Sequence, residues 1–165
     1  STTASLPEFT ARGEFSLGRS INITNAKIST FFSQQRDSTP STGSLLGAKS
    51  RYYPIVFGPI QRIKVNGEYR ITASNYRMTD SYDLCLFSFG LESNSGDLIL
   101  AGSNKTDDFV VTPDGQVLAV SEYDEDKKEW TLRYVTEPEK GRHLYKPVYQ
   151  TKGQALNHPN LMAPL

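Results

Sequence analysis

Two histidines, one cysteine and a few clustered carboxylates are the side chains with which this chain could do chemistry. His143 follows Lys140-Gly141-Arg142, and His158 precedes Pro159. A Ser-His-Asp hydrolase needs its serine raised on a sharp turn, usually Gly-x-Ser-x-Gly, and no such motif occurs. The histidines are too far apart in sequence to form a His-x-x-x-His metal pair, and both are expected on the surface. Cys85 sits in Leu84-Cys85-Leu86-Phe87. A single thiol makes no internal disulfide and no cysteine-based zinc site. Its apolar flanks predict a buried small hydrophobe rather than a nucleophile.

Other chemistry is equally thin. Neither Gly-x-x-x-x-Gly-Lys-Ser/Thr nor Gly-x-Gly-x-x-Gly is present, so no loop cradles a phosphate. Asp124-Glu125-Asp126 lacks the glycine and distal glutamate of a calcium loop and runs straight into Lys127-Lys128. It reads as a solvated hairpin end. Asp107, Asp108 and Asp114 are placed to cap turns. Trp130 with Tyr123 and Tyr134 could stack a sugar, but aromatics spaced along strands more often form core. The sequence therefore assigns no catalytic residue, no metal ligand and no cofactor, and it names no binding residue. Two sequons, Asn22-Ile23-Thr24 and Asn104-Lys105-Thr106, are common chance triplets.

The elements that would carry any site are strands. Ile21, Ile23, Ile28, Phe31 and Phe32 suggest one or two short strands, and 33–50 reads as a long polar loop. From residue 54 the β signal is strong. Ile60-Gln61-Arg62-Ile63-Lys64-Val65 and Glu68-Tyr69-Arg70-Ile71-Thr72-Ala73 flank Asn66-Gly67. That dipeptide supplies the positive φ angles of a tight hairpin. Tyr82 to Phe89 and Leu98 to Ala101 follow, then Phe109 to Val111, the turn Thr112-Pro113-Asp114-Gly115, Val117 to Tyr123, and Glu129 to Val135. No stretch of a dozen residues carries helical apolar spacing.

Composition bounds the class. The chain has 165 residues, 37% of them apolar, with 9 Tyr, 8 Phe and 1 Trp, which is not the make-up of a disordered segment. Net charge is zero but divided: residues 1–80 carry a balance of +5 and residues 81–165 one of −5. The basic residues are spread singly, as at Arg12, Arg19, Lys27 and Arg36, which does not suit nucleic acid. No apolar run approaches the ~20 residues of a membrane helix.

The segment Asp108 to Tyr134 resembles a blade motif in the N-terminal β-propeller of bacterial prolyl oligopeptidase-like serine peptidases. There, a strand ends in Asp-Gly, the next runs out to Tyr-Asp, and a Trp-x-Leu strand follows, as Asp114-Gly115, Tyr123-Asp124 and Trp130-Thr131-Leu132 do here. Tyr82 to Phe87 with Ser95-Gly96, Ser5 to Arg12, and Ala155 to Leu161 resemble neighbouring stretches of that family in the same order. The family's hydrolase domain has no counterpart, so no catalytic residue carries over.

The resemblance implies an all-β chain of antiparallel strands forming about two propeller blades, with a β-sandwich as the alternative. Residues 1–165 form one all-β unit, irregular over 1–53 and β-rich over 54–165. It implies a non-catalytic segment that gates or binds peptide substrate. The rival is an independent extracellular module for glycan or protein. Expected partners are a peptidase domain or a peptide, with no nucleic acid and no membrane span. Export suits the polar start Ser1-Thr2-Thr3-Ala4-Ser5. A two-blade fragment would leave a sheet face open to self-association, and Leu84–Phe89, apolar on both faces, is the expected open strand.

Overall fold

The computed structural model describes residues 16–35, 52–78, 81–136 and 144–152. The described residues are all-β with every strand pair antiparallel, and none of them is helical. A small hairpin, β1 (Arg19–Ile21) and β2 (Ile28–Thr30), precedes two four-stranded sheets. Sheet I holds β3 (Phe57–Val65), β4 (Glu68–Met78), β5 (Tyr82–Gly90) and β6 (Asp97–Ala101) in chain order. Sheet II holds β7 (Thr106–Val111), β8 (Val117–Asp124), β9 (Glu129–Thr136) and β10 (Leu144–Lys152), again in chain order. Among the described residues neither sheet closes into a barrel, and no ring of blades is formed.

Local sequence sets the turns. Asn66 and Gly67 have φ of 51° and 84°, and Val65 pairs directly with Glu68. Two positive φ angles in a two-residue connection match the twist of the flanking strands, which is why Asn-Gly serves there. Gly115, at φ 89°, closes the β7–β8 turn. A Cβ at that glycine would stand 2.9 Å from Ile63 Cδ1, so the site demands both the backbone freedom and the missing side chain.

Sheet I has two cores, one on each face. Ile63, Leu84, Leu86 and Leu100 face Phe109, Val111, Val117 and Val120 of sheet II. On the opposite face, Ala73, Cys85, Phe87 and Phe89 pack against Phe31, Phe32 and Val56 from the N-terminal layer. The rings interlock. Phe31 stacks on Phe89 at 4.8 Å, and Phe32 meets Phe87 and Phe89 edge-on at 5.2 and 4.7 Å. Fully burying each such side chain stabilises by about 1.5–3 kcal/mol before entropy is counted. Phe32 holds φ at 62°, a conformation disfavoured for a bulky residue, and its ring is nonetheless fully seated. Gly18 lets this layer close, since a Cβ there would fall 2.5 Å from the Phe31 ring.

The expectation that Leu84–Phe89 is an open strand is therefore wrong. All six residues are buried, because the N-terminal layer covers the face that sheet II does not. The expected irregular stretch 1–53 also contributes more than loop. The β1–β2 hairpin docks on the β5–β6 turn through Ser20 to the Leu91 carbonyl and Ser29 Oγ to the Glu92 carbonyl at 3.0 Å. Of the predicted polar loop, Gln35 grips the Gly96 peptide from both sides, at 3.0 and 2.7 Å, and 36–50 lie outside the described residues.

Sheet II meets sheet I through β7. Gly102, just after β6, still donates to the Leu84 carbonyl, and a Cβ on it would crowd Thr106. Further along, Gln61 Nε2 donates to the Val111 carbonyl at 2.9 Å and Lys64 N to that of Pro113 at 2.8 Å. Thus β7 starts beside β5 and finishes beside β3, running in the direction of β3.

Candidate functional site

The described residues bring no catalytic set together. His143 and His158 lie outside them. Cys85 is fully buried, its thiol pushed up by burial, and Sγ donates weakly to the Asp83 carbonyl at 3.4 Å. It is a core residue, as its neighbours in sequence indicated. No group of three His, Cys, Asp or Glu among the described residues is arranged to hold a metal ion.

The first carboxylate of the acidic hairpin end is paired from within the chain. Asp124 Oδ2 lies 2.7 Å from Lys105 Nζ and 3.8 Å from Lys127 Nζ, while its Oδ1 accepts from Lys127 N at 3.1 Å. These bonds, the Lys105 one foremost, hold its carboxyl below the usual aspartate value and raise Lys105 in turn. A carboxylate so occupied offers nothing to a cation. Asp114 caps its turn through Thr112 Oγ1, as expected. Asp107 and Asp108 instead lie within β7, where Asp108 Oδ1 accepts from Phe109 N at 2.8 Å, so they are strand residues rather than turn caps. Of the sequon asparagines, Asn22 is tied to Glu92 at 2.5 Å and Asn104 stands in an exposed turn.

Two surfaces remain, one on each sheet. On the outer face of sheet II, cross-strand pairing aligns Trp130 with Tyr123, Leu132 with Ser121 and Tyr149, and Tyr134 with Ala119. Trp130 is only 3% exposed, with the Tyr149 ring edge-on at 5.6 Å. A sugar cannot stack on a ring that is covered, so the core reading of Trp130 holds. Tyr134 and Tyr149 are the accessible rings, 45% and 53% exposed. The indole Nε1 of Trp130 is buried with no acceptor among the described residues.

On sheet I the exposed chemistry gathers at the β3–β4 hairpin. Lys64 pairs directly opposite Tyr69, and Arg62 opposite Ile71, so alternation brings Arg62, Lys64 and Tyr69 to one face. The Arg62 guanidinium lies 5.1 Å from the Tyr69 ring centre and the Lys64 ammonium 5.3 Å from it. Sequence reasoning passed over this trio. The signal was there: basic residues two apart on a strand and an aromatic across an Asn-Gly turn.

Comparison with protein-family models, with characterised proteins and with solved structures finds no match for this chain. The likeness to peptidase propeller blades rests on the quoted sequence motifs alone.

Proposed function

We propose that this chain is a non-catalytic propeller segment of a prolyl oligopeptidase-like serine peptidase, one that binds or gates peptide substrate. One observation carries the reading: the two sheets repeat each other. Each is a four-stranded meander in chain order, with a glycine turn joining its first two strands. The first strand of the second meander starts beside β5 and meets β3 only at its end, where Gln61 reaches the Val111 carbonyl and Lys64 N that of Pro113 in the following turn, and it points in the direction of β3. A rotation that generates successive blades carries each strand onto its equivalent with direction preserved, so adjacent first strands should run parallel. The sequence beyond residue 165 in the parent gene tests it. A Gly-x-Ser-x-Gly followed by an aspartate and a histidine supports the reading, and a stop codon there sinks it.

A second reading is favoured by a different observation. The far face of sheet I is closed by the chain's own N-terminal layer rather than by another four-stranded sheet. That suits a self-contained extracellular module for protein or glycan, with Tyr134 and Tyr149 as accessible rings. Purified chain that sediments as a stable monomer and binds a glycan array through those tyrosines would favour it over the propeller segment.

A further inference from the structure

We propose that Arg62, Lys64 and Tyr69, on the outer face of the β3–β4 hairpin, form a docking site for an extended acidic peptide segment. The proposal deepens the peptide-binding role above and rests on it.

The first support is unbalanced charge. Four other cations on or beside the two sheets find carboxylates: Arg70 reaches Asp97, Arg77 reaches Asp83, Lys105 reaches Asp124 and Arg133 reaches Glu122. Arg62 and Lys64 pair with no carboxylate among the described residues and share one aromatic ring instead. Both are exposed, and Tyr69 is 51% exposed. Two like charges on one ring repel each other, and an anion set between them relieves that repulsion while adding its own attraction. The ring restrains both cations before any partner arrives, which reduces the ordering cost of binding.

The second support is spacing. Same-face residues two apart on a strand are separated by about 6.6–6.8 Å. An extended segment with Asp or Glu at alternate positions presents its carboxylates at that same interval. Such a segment can lie along β3 with one carboxylate on the guanidinium and the next on the ammonium. The free edge of β3 is not the docking line, since Lys64 N and the Gln61 side chain are already bonded to the β7–β8 turn region. Single-stranded nucleic acid also carries spaced anions, but it binds by stacking bases on open aromatic faces. Here the aromatic ring is taken by two cations.

The test is a titration of the chain with fluorescein-labelled peptides at low salt, read by polarisation. The probes are Gly-Glu-Thr-Glu-Thr-Glu-Gly, its Lys-for-Glu and Gln-for-Glu counterparts, and an oligothymidylate of matching charge. The expected result is saturable binding of the acidic peptide. That binding weakens about tenfold in Arg62→Gln/Lys64→Gln and by a similar factor between 50 and 300 mM salt. Both residues are exposed, so the double variant should keep the parent melting curve, which is measured alongside. Tyr69→Phe should retain the binding, and Tyr69→Ala should weaken it by freeing the two cations. Binding of the acidic peptide that ignores the double substitution overturns the proposal, as does tighter capture of the oligothymidylate. If the Gln peptide binds and the acidic one gains nothing, the acidic site falls while the peptide-binding role stands. If no peptide binds, both fall.

Discussion

Sheets I and II share a topology and differ in what lies on either side of them. Sheet I is an interior layer, with sheet II on one face and the N-terminal layer on the other. Sheet II rests one face on sheet I, and its other face mixes a buried Trp130 with half-exposed Tyr134 and Tyr149. The third strands record the difference. Leu84-Cys85-Leu86-Phe87-Ser88-Phe89 in β5 is apolar almost throughout, whereas Trp130-Thr131-Leu132-Arg133-Tyr134 in β9 alternates. A continuous apolar run marks a strand covered on both faces, whereas the alternation in β9 sets Thr131 and Arg133 on the sheet I side and Trp130, Leu132 and Tyr134 on the other, where Val110, Ala119 and Ser121 are also buried.

The comparison breaks most readily in β5. Phe89 is fully buried and touches both Phe31 and Phe32, so Phe89→Ala should destabilise by roughly 3–5 kcal/mol. Chemical denaturation measures it. Hydrogen exchange on the parent chain should show the β5 amides among the slowest to exchange, slower than those of edge strand β6. Equal protection in the two strands would mean that sheet I is not the interior layer described.

The junction of the sheets comes next. Gly115→Ala forces an L side chain to φ 89° and presses a methyl on Ile63 and Val65. The expected loss is about 1–3 kcal/mol. Gly67→Ala is the control: it has the same positive φ but nothing near its Cβ, so it should cost less. If the two variants melt alike, the packing of the β7–β8 turn against β3 contributes nothing beyond backbone strain.

On sheet II, Trp130→Ala should cost roughly 3–5 kcal/mol, as for any large buried ring. Trp130→Phe separates volume from polarity. It leaves a small void but removes a buried N–H that has no acceptor among the described residues, and an unsatisfied buried donor costs about 1–3 kcal/mol. The two effects oppose, so the net change should stay within about 1 kcal/mol. A larger loss on thermal melting would show that the indole nitrogen has a partner.

Much of the fold was legible in the residues because local signals agreed with the global arrangement. The Asn66-Gly67 and Asp114-Gly115 turns, the apolar Cys85 and the in-strand position of Trp130 each act through one strand or one turn, which is what a sequence displays. The environment of β5 was not legible. Its run of apolar residues says that both faces are covered, but the cover comes from Phe31, Phe32 and Val56, distant in sequence and set in a stretch with little strand signal. Expecting an open face there put the fragment idea ahead of the pattern. The Arg62–Lys64–Tyr69 trio was missed for a related reason. Its cations look scattered along the chain, and only the register of β3 on β4 gathers them onto one ring.

The smallest expected effect lies where the N-terminal layer is fastened to sheet I. Glu92 accepts from the Asn22 amide at 2.5 Å and from Lys27 Nζ at 3.2 Å. The Asn22 bond, then Lys27, hold its carboxyl below its ordinary value of 4.5. A carboxyl whose value is lower in the folded chain adds stability at pH above the unfolded value and loses it as pH falls through the folded one. The fastening should therefore be complete above about pH 4.5 and weaken progressively below it. Glu92 and Lys27 are half exposed, and surface ion pairs contribute little, so global melting should hardly register the change. The β1–β2 hairpin should register it. Its amides should exchange faster below pH 4 than the intrinsic pH dependence of exchange accounts for, while β5 amides keep their protection. Glu92→Gln should remove this acid-dependent excess, leaving the hairpin equally loose at pH 3.5 and pH 6. Hairpin protection that stays constant in the parent chain across that range would show that the layer is held by Phe31 and Phe32 alone.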